Sequence, residues 1–192
     1  SLRFYQRIAM TLIVFFIAFF SLFLFWLSDL HDMTKSEAEQ KLHLQLAEHL
    51  VSDSPLLKTG AYDYEALSNL FHTLMVLGPN FEFYYLDKEG KVLTYSAPPN
   101  KVKREYINLT PIKKLLREPT HLPVFGEDPR NLDRYKIFSA APVKNNGTLQ
   151  GYLYVIIGGE IHDSIWANVN QNQKLKEVVA IGVTSLAFFL ID

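Results

Sequence analysis

Residues 81–96 read FEFYYLDKEGKVLTYS, and this stretch decides the fold. Phe81–Leu86 is dense in aromatic residues, which suit a pleated surface. Asp87-Lys-Glu-Gly90 supplies a turn, and Lys91–Ser96 a returning strand closed off by Pro98 and Pro99. Strict alternation puts Phe81, Phe83 and Tyr85 on one face and Tyr84 and Leu86 on the other. Both faces are therefore apolar, and a sheet apolar on both faces has to be covered on both.

Downstream, Tyr135–Val143 and Leu149–Ile157 form a second hairpin around Asn145-Asn146-Gly147, a strong turn signal. Gly158–Gly159 breaks the last strand, and from Glu160 a helix is expected, carrying Ile161, Ile165, Trp166, Val169, Leu175 and Val179. Upstream, Ser28 to Val51 lacks Gly and Pro and is rich in good helix formers, with apolar positions that include Leu42, Leu46 and Leu50. Ser54–Pro55 ends that helix. A second helix is expected over Asp63–Leu77, with Leu67, Leu70, Phe71 and Leu74 on one face and Gly78-Pro79-Asn80 as its stop. Residues 100–130 are basic and rich in proline, with a short helix near Pro111–Arg117. The order helix, helix, hairpin, irregular segment, hairpin, helix makes an α+β domain built on an antiparallel sheet. Helices cover one face, and the segment 97–130 is the natural cover for the other. A pocket under such a loop is a natural ligand site.

The two ends differ from this middle. The chain of 192 residues is 48% hydrophobic and 14% aromatic, and the excess lies at its ends. Ile8 to Leu27 carries no charge and spans about 30 Å as a helix, the thickness of a hydrocarbon core. A cleaved signal peptide has a shorter apolar core and a small-residue exit, whereas Phe25, Trp26 and Leu27 stand here. Arg3 and Arg7 precede the span, and Asp29 and Asp32 follow it. The positive-inside rule then makes residues 1–7 a cytoplasmic tail, 8–27 a first transmembrane helix and 28–177 an extracytoplasmic domain. Val178–Leu190 is a second apolar run, so that 178–192 reads as the start of a second span, cut short. Lys174 and Lys176, on its outer side, mildly oppose the rule.

Tyr84–Ser96 (YYLDKEGKVLTYS) resembles the strand-turn-strand of PAS-like extracytoplasmic sensor domains of the Cache type. Pro142–Glu160 (PVKNNGTLQGYLYVIIGGE), followed by a helix and a span, resembles bacterial membrane-bound sensor histidine kinases. The resemblance implies a homodimeric receptor in the bacterial inner membrane, with the sensor domain in the periplasm. It also implies a C-terminal part beyond these residues, with a HAMP linker, a phosphorylatable histidine and an ATP-binding kinase domain that passes phosphate to a cytoplasmic response regulator. Chemotaxis receptors and membrane diguanylate cyclases share the same front end.

The residues themselves carry no phosphate-cradling glycine loop, no HExxH and no nucleophile elbow, so no catalytic residue is assigned to this chain. The absence of cysteine excludes a disulfide or a Cys-based zinc site, and a net charge of −1 gives no reason to expect nucleic acid. No cofactor is expected. Ligand candidates are the basic and aromatic residues in and beside the cover: Tyr85, Tyr95, Lys101, Lys103, Arg104, Tyr106, His121, Arg130, Arg134 and Tyr135. Their cations suit a carboxylate or phosphate. The resemblance places a small-molecule ligand between the central strands and the loop, which favours Tyr95, Lys103, Arg104 and Arg134, with Tyr85 and His121 beside them. His43 and His162, with Asp163, would stand at one height above the membrane, about 24 Å out, only if both helices ran straight. No metal site is assigned to them.

Overall fold

The computed structural model describes residues 2–158 and 176–188. The helix expected from Glu160, together with His162 and Asp163, lies outside the described residues. The chain divides into two units, Ser1–Thr34 with Ser164–Asp192, and Lys35–Asp163.

The first helix, α1, runs Leu2–Leu42. Its apolar part is exposed along its length, as at Leu12, Phe15, Phe16 and Phe19, and it is long and apolar enough to cross a membrane. A helix of this length and composition serves as a membrane span or as a signal sequence. In the same unit residues 176–188 are also helical.

The helix expected through Val51 is broken. Residues 43–45 form a turn, and α2 (Leu46–Asp53) begins anew. Tertiary contacts replace the lost helical bonds. The buried Ser139 hydroxyl donates to the Leu44 carbonyl (2.8 Å) and accepts from the Ala47 N–H (3.1 Å). His43 sets its ring edge-on to Phe81 at 4.8 Å between centroids. The break also sends Leu44 and Leu46 to different cores, on opposite faces of the sheet. Leu46 and Leu50 pack on their own domain, while Leu42 is exposed.

Pro55–Lys58 forms the one-turn α3, capped by Ser54, whose hydroxyl accepts from the Leu56 N–H. The expected second helix is present as α4 (Tyr64–Leu77), with Asp63 as its cap. The strands are β1 (Phe81–Asp87), β2 (Val92–Tyr95), β3 (Phe125–Glu127), β4 (Tyr135–Asn145) and β5 (Thr148–Ile157), with α5 (Thr110–Arg117) between β2 and β3. They form one antiparallel sheet in the order β2-β1-β5-β4-β3. The β4–β5 turn works because Asn146 and Gly147 both take positive φ, 49° and 80°, which a two-residue hairpin turn requires. Gly151 is needed for another reason: a Cβ there would strike the Leu86 carbonyl across the β1–β5 pair. The short β3 escaped the sequence reading, because three residues show no alternation. It pairs only with Tyr135–Ile137, so Pro142 lies where β4 has no outer strand and its missing N–H is harmless.

Both faces of the sheet are covered. Phe83, Tyr85, Leu153 and Val155 meet Leu57, Leu67 and Phe71 from α3 and α4. Tyr84, Leu86, Phe138, Tyr154 and Ile156 meet Ile107, Ile112, Leu115 and Val124 from the 97–130 segment. The irregular segment is thus the lid of the second core, as both-faced burial requires.

Gln40 fastens α1 to this lid. It is fully buried, donates to the carbonyls of Val124 (2.8 Å) and Phe138 (3.0 Å), and accepts from the Val124 N–H (2.8 Å). Gln40→Leu strands three buried backbone groups and should cost on the order of 3 kcal/mol, read by urea unfolding. A loss below about 1 kcal/mol would mean those groups find other partners.

Candidate functional site

Charged residues gather where the lid crosses the ends of β1, β4 and β5. Glu82 stands on β1 amid aromatic neighbours and shares the face of Tyr84 and Leu86, so its carboxylate enters the second core. It is 1% exposed. Arg130, from the lid, meets it at 2.8 Å, and the Tyr84 hydroxyl donates to its other oxygen at 3.3 Å. Asp128 is equally buried and stands 3.6 Å from Lys136 Nζ, which donates to the Gly158 carbonyl at 2.8 Å. Arg104 completes the group at 3.5 Å from Glu127. Three anions and three cations are thus paired within one layer.

Backbone contacts shape the loop that carries them. Asp128 Oδ1 accepts from the Arg130 N–H, a local turn that Asp favours. Arg104 donates to the carbonyls of Asp128 (3.0 Å), Asn131 (3.4 Å) and Leu132 (2.7 Å), so its guanidinium fork holds residues 128–132 as a bracket would. The Tyr154 hydroxyl donates to the Glu127 carbonyl at 2.8 Å. Burial, reinforced by the Glu82 carboxylate, pushes the Tyr84 hydroxyl well above the ordinary tyrosine pKa. Burial beside Asp128 and Glu127 does the same to Tyr154, and burial beside Tyr64 to Tyr85.

The sequence candidates scatter around this group. Tyr95 lies on the second face, its ring 6.4 Å from that of Tyr84. Tyr85 points to the opposite face, where its buried hydroxyl has no hydrogen-bond partner among the described residues. Tyr85 and Tyr95 therefore do not line one pocket, and strand alternation is the reason. Lys103 is exposed and donates to the Asn100 carbonyl; His121 is exposed and faces Glu118 at 3.4 Å. Arg134 is half-buried at the foot of the bracketed loop, where its carbonyl accepts from the Asp128 N–H. Arg104 is the favoured cation that reaches the interior, and its donors are engaged by the loop. Glu82, Asp128 and Lys136 were missed. Glu82 was legible: an acid inside a doubly covered aromatic strand demands a buried partner.

Among the described residues of the domain, concavities also lie at the turns of the two hairpins, including Asp87 and Asn146; between α4 and β2, including His72 and Leu93; and between α2 and α5 along β4, including Lys58, Leu116 and Lys144. Among the described residues no cluster of three His, Asp or Glu side chains fits a metal ion. Compared with family models, with curated proteins and with solved structures, the chain matches none.

Proposed function

We propose that the chain is the extracytoplasmic signal-sensing and transmembrane-signalling portion of a PAS-like, membrane-bound receptor of the sensor histidine kinase kind, acting as a dimer. One observation carries the reading: where the chain enters the domain and where it leaves, it is tied to the same strands. Gln40, at the end of α1, bonds the Phe138 carbonyl, and Phe138 pairs with Ile156 near the end of β5. His43 packs on Phe81, Phe81 pairs with Ile157, and the Gly158 N–H donates to the Asn80 carbonyl at 2.7 Å. A domain built this way converts any change in sheet or lid packing into relative movement of its incoming and outgoing segments. An effector that favours one packing tens-fold supplies about 2 kcal/mol, enough to move a balanced equilibrium. The apolar α1 supports a membrane anchor, with the domain in the periplasm of a bacterial inner membrane. A chemotaxis receptor or diguanylate cyclase would use the same front end.

The internal pairing of Arg104, Arg130 and Lys136 favours a second reading, in which the domain senses a partner protein or sets dimer geometry rather than binding a small anion under the lid. A thermal-shift screen of the whole chain in nanodiscs separates the two. A small carboxylate, amino acid or phosphate at a hundred times its dissociation constant should add about 2.7 kcal/mol, several degrees for a domain of this size. A folded protein that no small molecule stabilises would sink the small-ligand reading and leave the partner reading standing.

A further inference from the structure

We infer that residues 127–132 form a charge-held latch on the chain's exit from the domain, opened by lifting this surface loop. The inference deepens the signalling reading above and rests on it for the meaning of the exit. The loop is preformed, bracketed by Arg104 and by the Asp128 turn. Two arms reach inward from it. Arg130 grips Glu82, one residue from the Phe81–Ile157 pair. The Asp128 carboxylate holds Lys136, whose ammonium holds the Gly158 carbonyl at 2.8 Å. Gly158 takes a φ of 97°, so the extended course of β5 ends at the residue the second arm grips.

Both arms originate within three residues of sequence, so displacing the loop removes them together. The Lys136 ammonium on β4, which holds the Gly158 carbonyl, then loses the Asp128 carboxylate, and Glu82 at the start of β1 loses its contact with the Arg130 guanidinium. A partly lifted loop separates buried charges before they reach water, so intermediate positions cost more than either the seated or the fully lifted one. That makes the loop two-state, the property a switching element needs.

Hydrogen exchange on the whole chain in nanodiscs tests the latch. Asp128→Asn keeps the oxygen that accepts from the Arg130 N–H and removes the charge that holds Lys136. Peptides ending at Gly158 should exchange at least tenfold faster, while α4 keeps its wild-type rate. Unchanged exchange at Gly158, or acceleration spread evenly over the domain, overturns the latch. Should Asp128→Asn fail to fold, Lys136→Gln, which also removes the charge from the second arm, is read in the same way. This readout needs no output domain. A latch that opens normally but never alters phosphorylation, in a chain joined to a kinase, would instead count against the signalling reading.

Discussion

Replacing Arg130 by Met should cost the domain about 3–5 kcal/mol, because it removes the cation 2.8 Å from the buried Glu82 carboxylate. Glu82 is among the least exposed charged residues of the domain, and the Tyr84 hydroxyl that donates to its other oxygen is neutral. A single hydroxyl cannot replace a guanidinium at 2.8 Å. Glu82→Met alone should be costly too, since it removes the buried carboxylate that faces the Arg130 guanidinium. The double variant is expected to recover most of the loss, since two methionines fill comparable space without desolvating charge. In urea unfolding of the whole chain in detergent, each single variant should lose several times what the double variant loses. On heating, a single variant should melt about 10 °C lower. Strictly additive losses would show that the two side chains do not depend on one another, and the interior pairing would lose its energetic significance.

Alkali should unfold the domain from about pH 10 upward, in a window set by buried tyrosines rather than by carboxylates. Tyr84, Tyr85 and Tyr154 are each fully buried, and burial raises the pKa of all three. A tyrosine is charged only after losing its proton, so a raised folded value means that the native state holds a proton the unfolded chain gives up. The stability they contribute is complete below the unfolded value near 10 and falls as pH rises toward the folded values, by about 1.4 kcal/mol per unit for each tyrosine. Three together approach about 4 kcal/mol per unit, a large share of a domain's stability. Phenolate absorbance from these three should appear together with loss of circular dichroism. Ionisation of all three ahead of any structural change would refute the assignment.

Much of the architecture was legible in single segments. Asn146–Gly147 and Asp87–Gly90 placed the two hairpins, because positive φ and side-chain-closed turns belong to few residue types. The alternation of FEFYYL, aromatic on both faces, required two covers, and the proline-rich 97–130 segment is where the second one is. The stripe Leu67, Leu70, Phe71, Leu74 marked α4 before any contact was known. The apolar run from Ile8 to Leu27 was equally plain. These features were readable because each arises from neighbours in sequence acting on one another.

What stayed hidden depends on groups brought together from afar. The break at residues 43–45 is made by Ser139 and Phe81, nearly a hundred and about forty positions downstream, against a local sequence that favours helix throughout. Candidates chosen as a list of cations and tyrosines were split by geometry: Tyr85 and Tyr95 fell on opposite faces, Lys103 and His121 stayed outside, and Arg104 turned inward to brace a loop. Pairing of Glu82 with Arg130 and of Asp128 with Lys136 is likewise a tertiary outcome. By itself the sequence determined that the chain holds a doubly covered antiparallel sheet and a long apolar helix, since periodicity and turn chemistry act over a few residues. Only the tertiary structure decided which charges meet beneath the lid, because a buried ion pair is set by the register of strands and loops far apart in the chain.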